Sequence, residues 1–82
     1  MTKIYYQELF QIKDTESATI LYAMKQTLDS TFWENGSCFF VFRDKNKCEK
    51  ILSDYLNDKI VISAKSLMES IRTTKNIIKS GL

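Results

Sequence analysis

Two cysteines, ten carboxylates and no histidine set the range of chemistry open to this 82-residue chain. Without an imidazole there is no Ser-His or Cys-His nucleophile pair, and no side chain whose unperturbed titration falls near neutrality. Asp54 and Asp58 stand four apart, which puts both on the polar side of a helix. The paired carboxylates of glycosidases act across a cleft, and a solvated helix face does not supply one. Cys38 and Cys48 lack the further ligands a structural zinc needs. Both fall on apolar-facing positions and read as buried thiols of a reducing compartment. No G-x-x-x-x-G-K-[ST] or G-x-G-x-x-G segment occurs, which removes the usual phosphate cradles. The sequence therefore predicts a protein that is not an enzyme and uses neither cofactor nor metal.

What remains is two surfaces. The first is aromatic and centres on "FWENGSCFFVF" (32–42). Asn35-Gly36 predicts a type I′ hairpin turn, because that turn needs positive φ at both central residues and these two tolerate it best. A two-residue turn pairs Glu34 with Ser37, Trp33 with Cys38, Phe32 with Phe39 and Thr31 with Phe40. Paired residues share a face, so Trp33, Cys38, Phe40 and Phe42 lie on one side and Phe32, Phe39, Val41 and Arg43 on the other. Both sides are substantially apolar. Phe32, Phe39 and Val41 are the candidate partner-binding residues.

The second surface is basic. Residues 1–58 carry seven Lys/Arg and nine Asp/Glu, a net of −2, whereas residues 59–82 carry five and one, a net of +4. Lys65, Arg72 and Lys79 form one row on the final helix. Together with Tyr5, Phe39 and Arg43 they make up an alternative, nucleic-acid-binding set, with rings for base stacking and cations for phosphates. The overall charge of +2 is too small to argue for a polyanion partner by itself.

The elements that must position these residues follow from pattern. "IYYQELFQI" (4–12) is rich in aromatic and β-branched residues and predicts a strand. Asp14 is an N-cap for a helix over 15–28 that carries Ala18, Ile20, Leu21, Ala23, Met24 and Leu28. After the hairpin, Asp44 caps a helix over 45–57 with Cys48, Ile51, Leu52, Tyr55 and Leu56 at i, i+3, i+4, i+7 and i+8. "NDKIVI" (57–62) predicts a turn and a short extended stretch. Ser63 caps a final helix to Ser80, ended by Gly81. Ala64, Leu67, Met68, Ile71, Ile78 and Leu82 form its apolar stripe.

Two resemblances accompany these readings. "IYYQEL" (4–9) resembles the shorter signature of the RNA-recognition motif and "NGSCFFVF" (35–42) its longer one. That likeness implies base stacking on Tyr5 and Phe39. It departs from the pattern at Ser37, where an aromatic belongs, at Asn35, where a basic residue belongs, and in a final helix that replaces a fourth strand. More of the chain is covered by the order of "F-x-x-K-D" (10–14), an Ala/Leu-rich helix, an Asn-Gly hairpin, "FFVFRD" (39–44), "Y-L-N" (55–57) and a basic, striped last helix. This order is similar to that of family 5659 of the domains of unknown function, short domains from bacteria, archaea and their viruses and mobile elements. The similarity implies a small viral or mobile-element protein of the host cytoplasm that binds a host protein, a nucleic acid or itself. It implies no activity and no site residues.

At 82 residues, with 44% apolar and 12% aromatic content, the chain predicts a single α+β domain over 1–82. Its order is β-α-β-β-α-(β)-α, with a three-stranded, largely antiparallel sheet packed with helices. The first two helices should cover the Trp33/Phe40/Phe42 face, and the last should pack over or beside Phe32, Phe39 and Val41. No apolar run approaches the length of a membrane span, and the N-terminus lacks a signal-peptide core. A cytoplasmic location without membrane contact is expected. The expected partner is a protein or a second copy, and the alternative is a single-stranded nucleic acid.

Overall fold

Capping decides where each helix begins. In the computed structural model, which describes residues 8–80, Asp14 accepts from the Ser17 amide at 3.2 Å and the Ser17 hydroxyl at 2.7 Å. Its carboxyl is held below the ordinary value, chiefly by that hydroxyl. The elements in order are β1 (Phe10–Ile12), α1 (Thr15–Ala23), β2 (Leu28–Glu34), β3 (Ser37–Phe42), α2 (Lys45–Leu56) and α3 (Ala64–Ser80). The fold is α+β. Its sheet has the order β1-β3-β2, and both pairings are antiparallel. β3 therefore lies between two strands that run parallel to each other, a split β-α-β arrangement.

α1 stops five residues short of the predicted end. Lys25 adopts φ 67°, the Lys25 amide donates to Tyr22 O and the Gln26 amide to Leu21 O, each at 3.0 Å. This is a Schellman motif with lysine in the place glycine usually takes, which is why no glycine signalled it. α2 ends the same way at Asp58, φ 57°, with Asp58 N–H donating to Tyr55 O and Lys59 N–H to Asp54 O. Ser63 caps α3 as expected, accepting from the Ser66 amide at 3.1 Å. Of the predicted strand 4–12, only Phe10–Ile12 is a strand among the described residues. The extended stretch after α2 joins no sheet: Ile60 and Ile62 pack against the core while Val61 is 94% exposed.

The core gathers Ala18, Ile20 and Leu21 of α1, Cys38, Phe40 and Phe42 of β3, Cys48 and Ile51 of α2, and Ile77 of α3. All three helices thus share the Cys38/Phe40/Phe42 side of the sheet. This corrects the expectation that α3 covers Phe32, Phe39 and Val41. The reason lies in its small polar residues. α3 buries Ser70 and Thr74 together with Ile77 and lies along α1, where the Thr19 and Thr74 hydroxyls meet at 3.0 Å. Small side chains let two helix backbones approach closely, and each hydroxyl has a carbonyl available one turn back. The predicted apolar stripe is rotated accordingly: Ala64 and Met68 are exposed, and Leu82 lies outside the described residues.

Candidate interaction surface

The Asn35-Gly36 turn forms with φ 51° and 78°, and the β2–β3 register is the one the turn dictates, with Thr31, Phe32, Trp33 and Glu34 opposite Phe40, Phe39, Cys38 and Ser37. Phe32 and Phe39 consequently meet on the side of the sheet away from the helices. Their rings stack, with centroids 4.9 Å apart and planes 2° from parallel, and both are half-buried. Val41, on the same side, is only 4% exposed. The accessible apolar surface on this side is therefore Phe32 and Phe39. Trp33 lies on the helix side but is 52% exposed, so the helix layer stops short of the turn end of the hairpin.

One irregularity shapes β2. A straight register would set Asp29 opposite Phe42 and bury a carboxylate in the core. Instead the register shifts between Leu28 and Ser30, and Leu28 takes the place opposite Phe42. The bulge turns Asp29 outward, where its Oδ1 accepts from Arg43 Nε at 3.2 Å. The sequence carried this signal in an acid sharing strand parity with Thr31 and Trp33.

Among the described residues the nucleic-acid set is not brought together. Tyr5 lies outside the described residues. Phe39 faces away from the helices, and Arg43 is engaged by Asp29. Lys65, Arg72 and Lys79 are exposed on α3, which packs on α1 in the helix layer. Among the described residues no ion pair involves these three.

Elsewhere the chemistry is sparse. A cleft of about 540 Å³ below the C-terminus of α1 is lined by Tyr22, Lys25, Gln26, Thr27, Leu28, Thr73 and Ile77, with no carboxylate, thiol or imidazole among them. Tyr55 donates to Glu16, tying α2 to α1, and that bond holds its phenol above the ordinary value. Both cysteines are free and buried. Burial first, then the charges of Asp44 and Glu49, push the Cys48 thiol up to about 11, and burial raises Cys38. Among the described residues no three His, Cys, Asp or Glu side chains cluster as a metal site, and no helix is long and apolar enough to cross a membrane.

No family model matches the chain, and no curated protein or solved structure matches it either. The two resemblances noted above rest on their quoted residues alone.

Proposed function

We propose that the protein is a non-enzymatic interaction module that docks a protein partner, or a second copy of itself, through the turn end of the β2–β3 hairpin. One observation carries this reading: a stacked phenylalanine pair, Phe32 and Phe39, sits partly wet on the face that none of the described helices covers. Large rings held in a fixed geometry supply contact area at little entropic cost, and aromatic residues anchor protein interfaces. Trp33 adds a third accessible ring at the same end. The test is affinity capture with the wild type beside Phe32→Ser and Phe39→Ser, each checked for folding by circular dichroism. Bound protein, including a second copy, is lost in the variants; an identical bound set in all three overturns the reading.

A second reading, single-stranded nucleic-acid binding, is favoured by the position of Phe39, half-buried on the sheet face that no described helix covers, where bases could stack. The division of Phe39 and the α3 cations between opposite layers weighs against it. It predicts affinity that falls steeply with salt as counterions are released, and a cost of about 1–3 kcal/mol in binding for Phe39→Ala. Filter binding of a mixed-sequence oligonucleotide at low and moderate salt tests both.

A further inference from the structure

We propose that the outer edge of β2 pairs with the same edge of a second copy of this chain, antiparallel, with Phe32 opposite Phe32 of that copy. This rests on the hairpin reading above and specifies its occupant.

Among the described residues β2 is an edge strand, since the sheet order is β1-β3-β2. In an antiparallel ladder, residues alternate between those bonded to the neighbour and those whose N–H and C=O point away. The tight turn makes Glu34 and Ser37 a bonded pair, so Phe32 and Ser30 also turn inward, while Thr31 and Trp33 turn out. The Arg43 amide, donating to Thr27 O at 3.0 Å, confirms that odd-numbered β3 residues bond towards β2. Natural edge strands are guarded by lysine, proline or inward charge, yet Ser30 to Trp33 carries none of these. The bulge at Asp29 and the charge of Glu34 bound this unguarded window.

Self-pairing fits the window in one register. With Phe32 opposite Phe32 of the second copy, Thr31 of each copy bonds Trp33 of the other, so every outward group in the window is used. Phe32 then occupies the non-bonded position, where side chains approach most closely. The stack of Phe39 on Phe32 continues into the second copy as a four-ring ladder. Glu34 meets Ser30, and Asp29, already paired with Arg43, meets Asn35. Sliding the pairing two residues either way sets Glu34 against Phe32 or Leu28, and an acid desolvated against an apolar group is costly. The polar and apolar positions of β2 are thus complementary to themselves in this register alone. The exposure of Trp33 shows that the helix layer leaves this end of the edge clear.

Sedimentation equilibrium of the wild type and Thr31→Pro, with cysteine cross-linking at positions 30 and 34, tests the proposal. Proline removes one outward amide and is tolerated where that amide faces solvent. The expected results are a wild-type dimer, a folded Thr31→Pro monomer, and rapid disulfide formation in the double variant Ser30→Cys/Glu34→Cys, where position 30 of one copy meets position 34 of the other with Cα atoms about 4.5 Å apart. Ser30→Cys alone should not cross-link, its two copies being roughly 14 Å apart along the strands. The native thiols are buried, so the new cysteines are the reactive ones. A wild type that stays monomeric, or Ser30→Cys alone that cross-links as fast as the double variant, overturns the self-pairing. If the wild type is monomeric while capture of another protein depends on Phe32 and Phe39, the self-pairing falls and the hairpin reading stands.

Discussion

Phe32 and Phe39 face each other across the β2–β3 ladder with ring planes 2° from parallel and centroids 4.9 Å apart. Neither ring belongs to the core cluster. The pair is therefore expected to matter less to folding than to binding. Phe39→Ala should cost about 0.5–1.5 kcal/mol for the ring pair on top of the half-buried apolar area it removes, short of the roughly 3–5 kcal/mol of a core phenylalanine, read by urea unfolding. Its effect on association should be larger, because interface anchors commonly cost about 2 kcal/mol or more when truncated.

The seam between α1 and α3 is set by size. Thr19 and Thr74 meet there in the interior, and Thr19 keeps a carbonyl partner in Thr15 at 2.8 Å. Thr74→Val should therefore cost at most about 1 kcal/mol, the net value of one hydrogen bond. Thr74→Leu should cost about 1–3 kcal/mol through overpacking and separate the helices. Chemical denaturation of the two variants distinguishes a size constraint from a hydrogen-bond constraint.

Backbone strain marks the helix ends. Lys25 and Asp58 occupy left-handed conformations that cost a side-chain-bearing residue about 1–2 kcal/mol relative to the right-handed form. Lys25→Gly should raise stability by up to about 1 kcal/mol, since glycine removes that penalty but has more chain entropy to lose. Asp44 also has positive φ, at 64°, but its carboxylate accepts from the Lys47 amide at 3.2 Å. Asp44→Ala keeps the strain and loses the cap, so it should destabilise by about 1–2 kcal/mol. Thermal unfolding of the two variants should move in opposite directions.

The cysteines give a pH signature. Burial, aided by Asp44 and Glu49, raises the Cys48 thiol to about 11 in the folded chain. The unfolded chain releases that proton earlier. Stability is therefore level below the ordinary thiol range and falls as pH climbs from there towards about 11. Cys48→Ala should flatten this decline. At neutral pH a thiol reagent should label neither Cys38 nor Cys48 until denaturant is added, and rapid native labelling would contradict their burial.

The hairpin was legible because Asn35-Gly36 fixes a register by local geometry, and register assigns every side chain from Thr31 to Phe40 to a face. Helix starts were legible for the same local reason: Asp14, Asp44 and Ser63 each carry an acceptor for a free amide. Helix ends were not, because Lys25 and Asp58 take conformations that their residue types do not advertise. The resting place of α3 was missed because its seam is built on Ser70 and Thr74, which hydropathy counts as surface. Val41 was read from strand parity alone, and parity gives a face but not its exposure. The unguarded edge at Thr31 and Trp33 follows from the register once β2 is known to be outermost, which no single strand reveals.

The central claim, that the hairpin end is an interaction surface, is tested most directly by the solution mass of the wild type beside Phe39→Ser at low and moderate salt, with a single-stranded oligonucleotide added in parallel. The account predicts a wild type heavier than one chain at both salt levels, a variant reduced to a monomer, and no oligonucleotide binding. A monomeric wild type that binds the oligonucleotide, releases it as salt rises and loses it in Phe39→Ser would contradict the account.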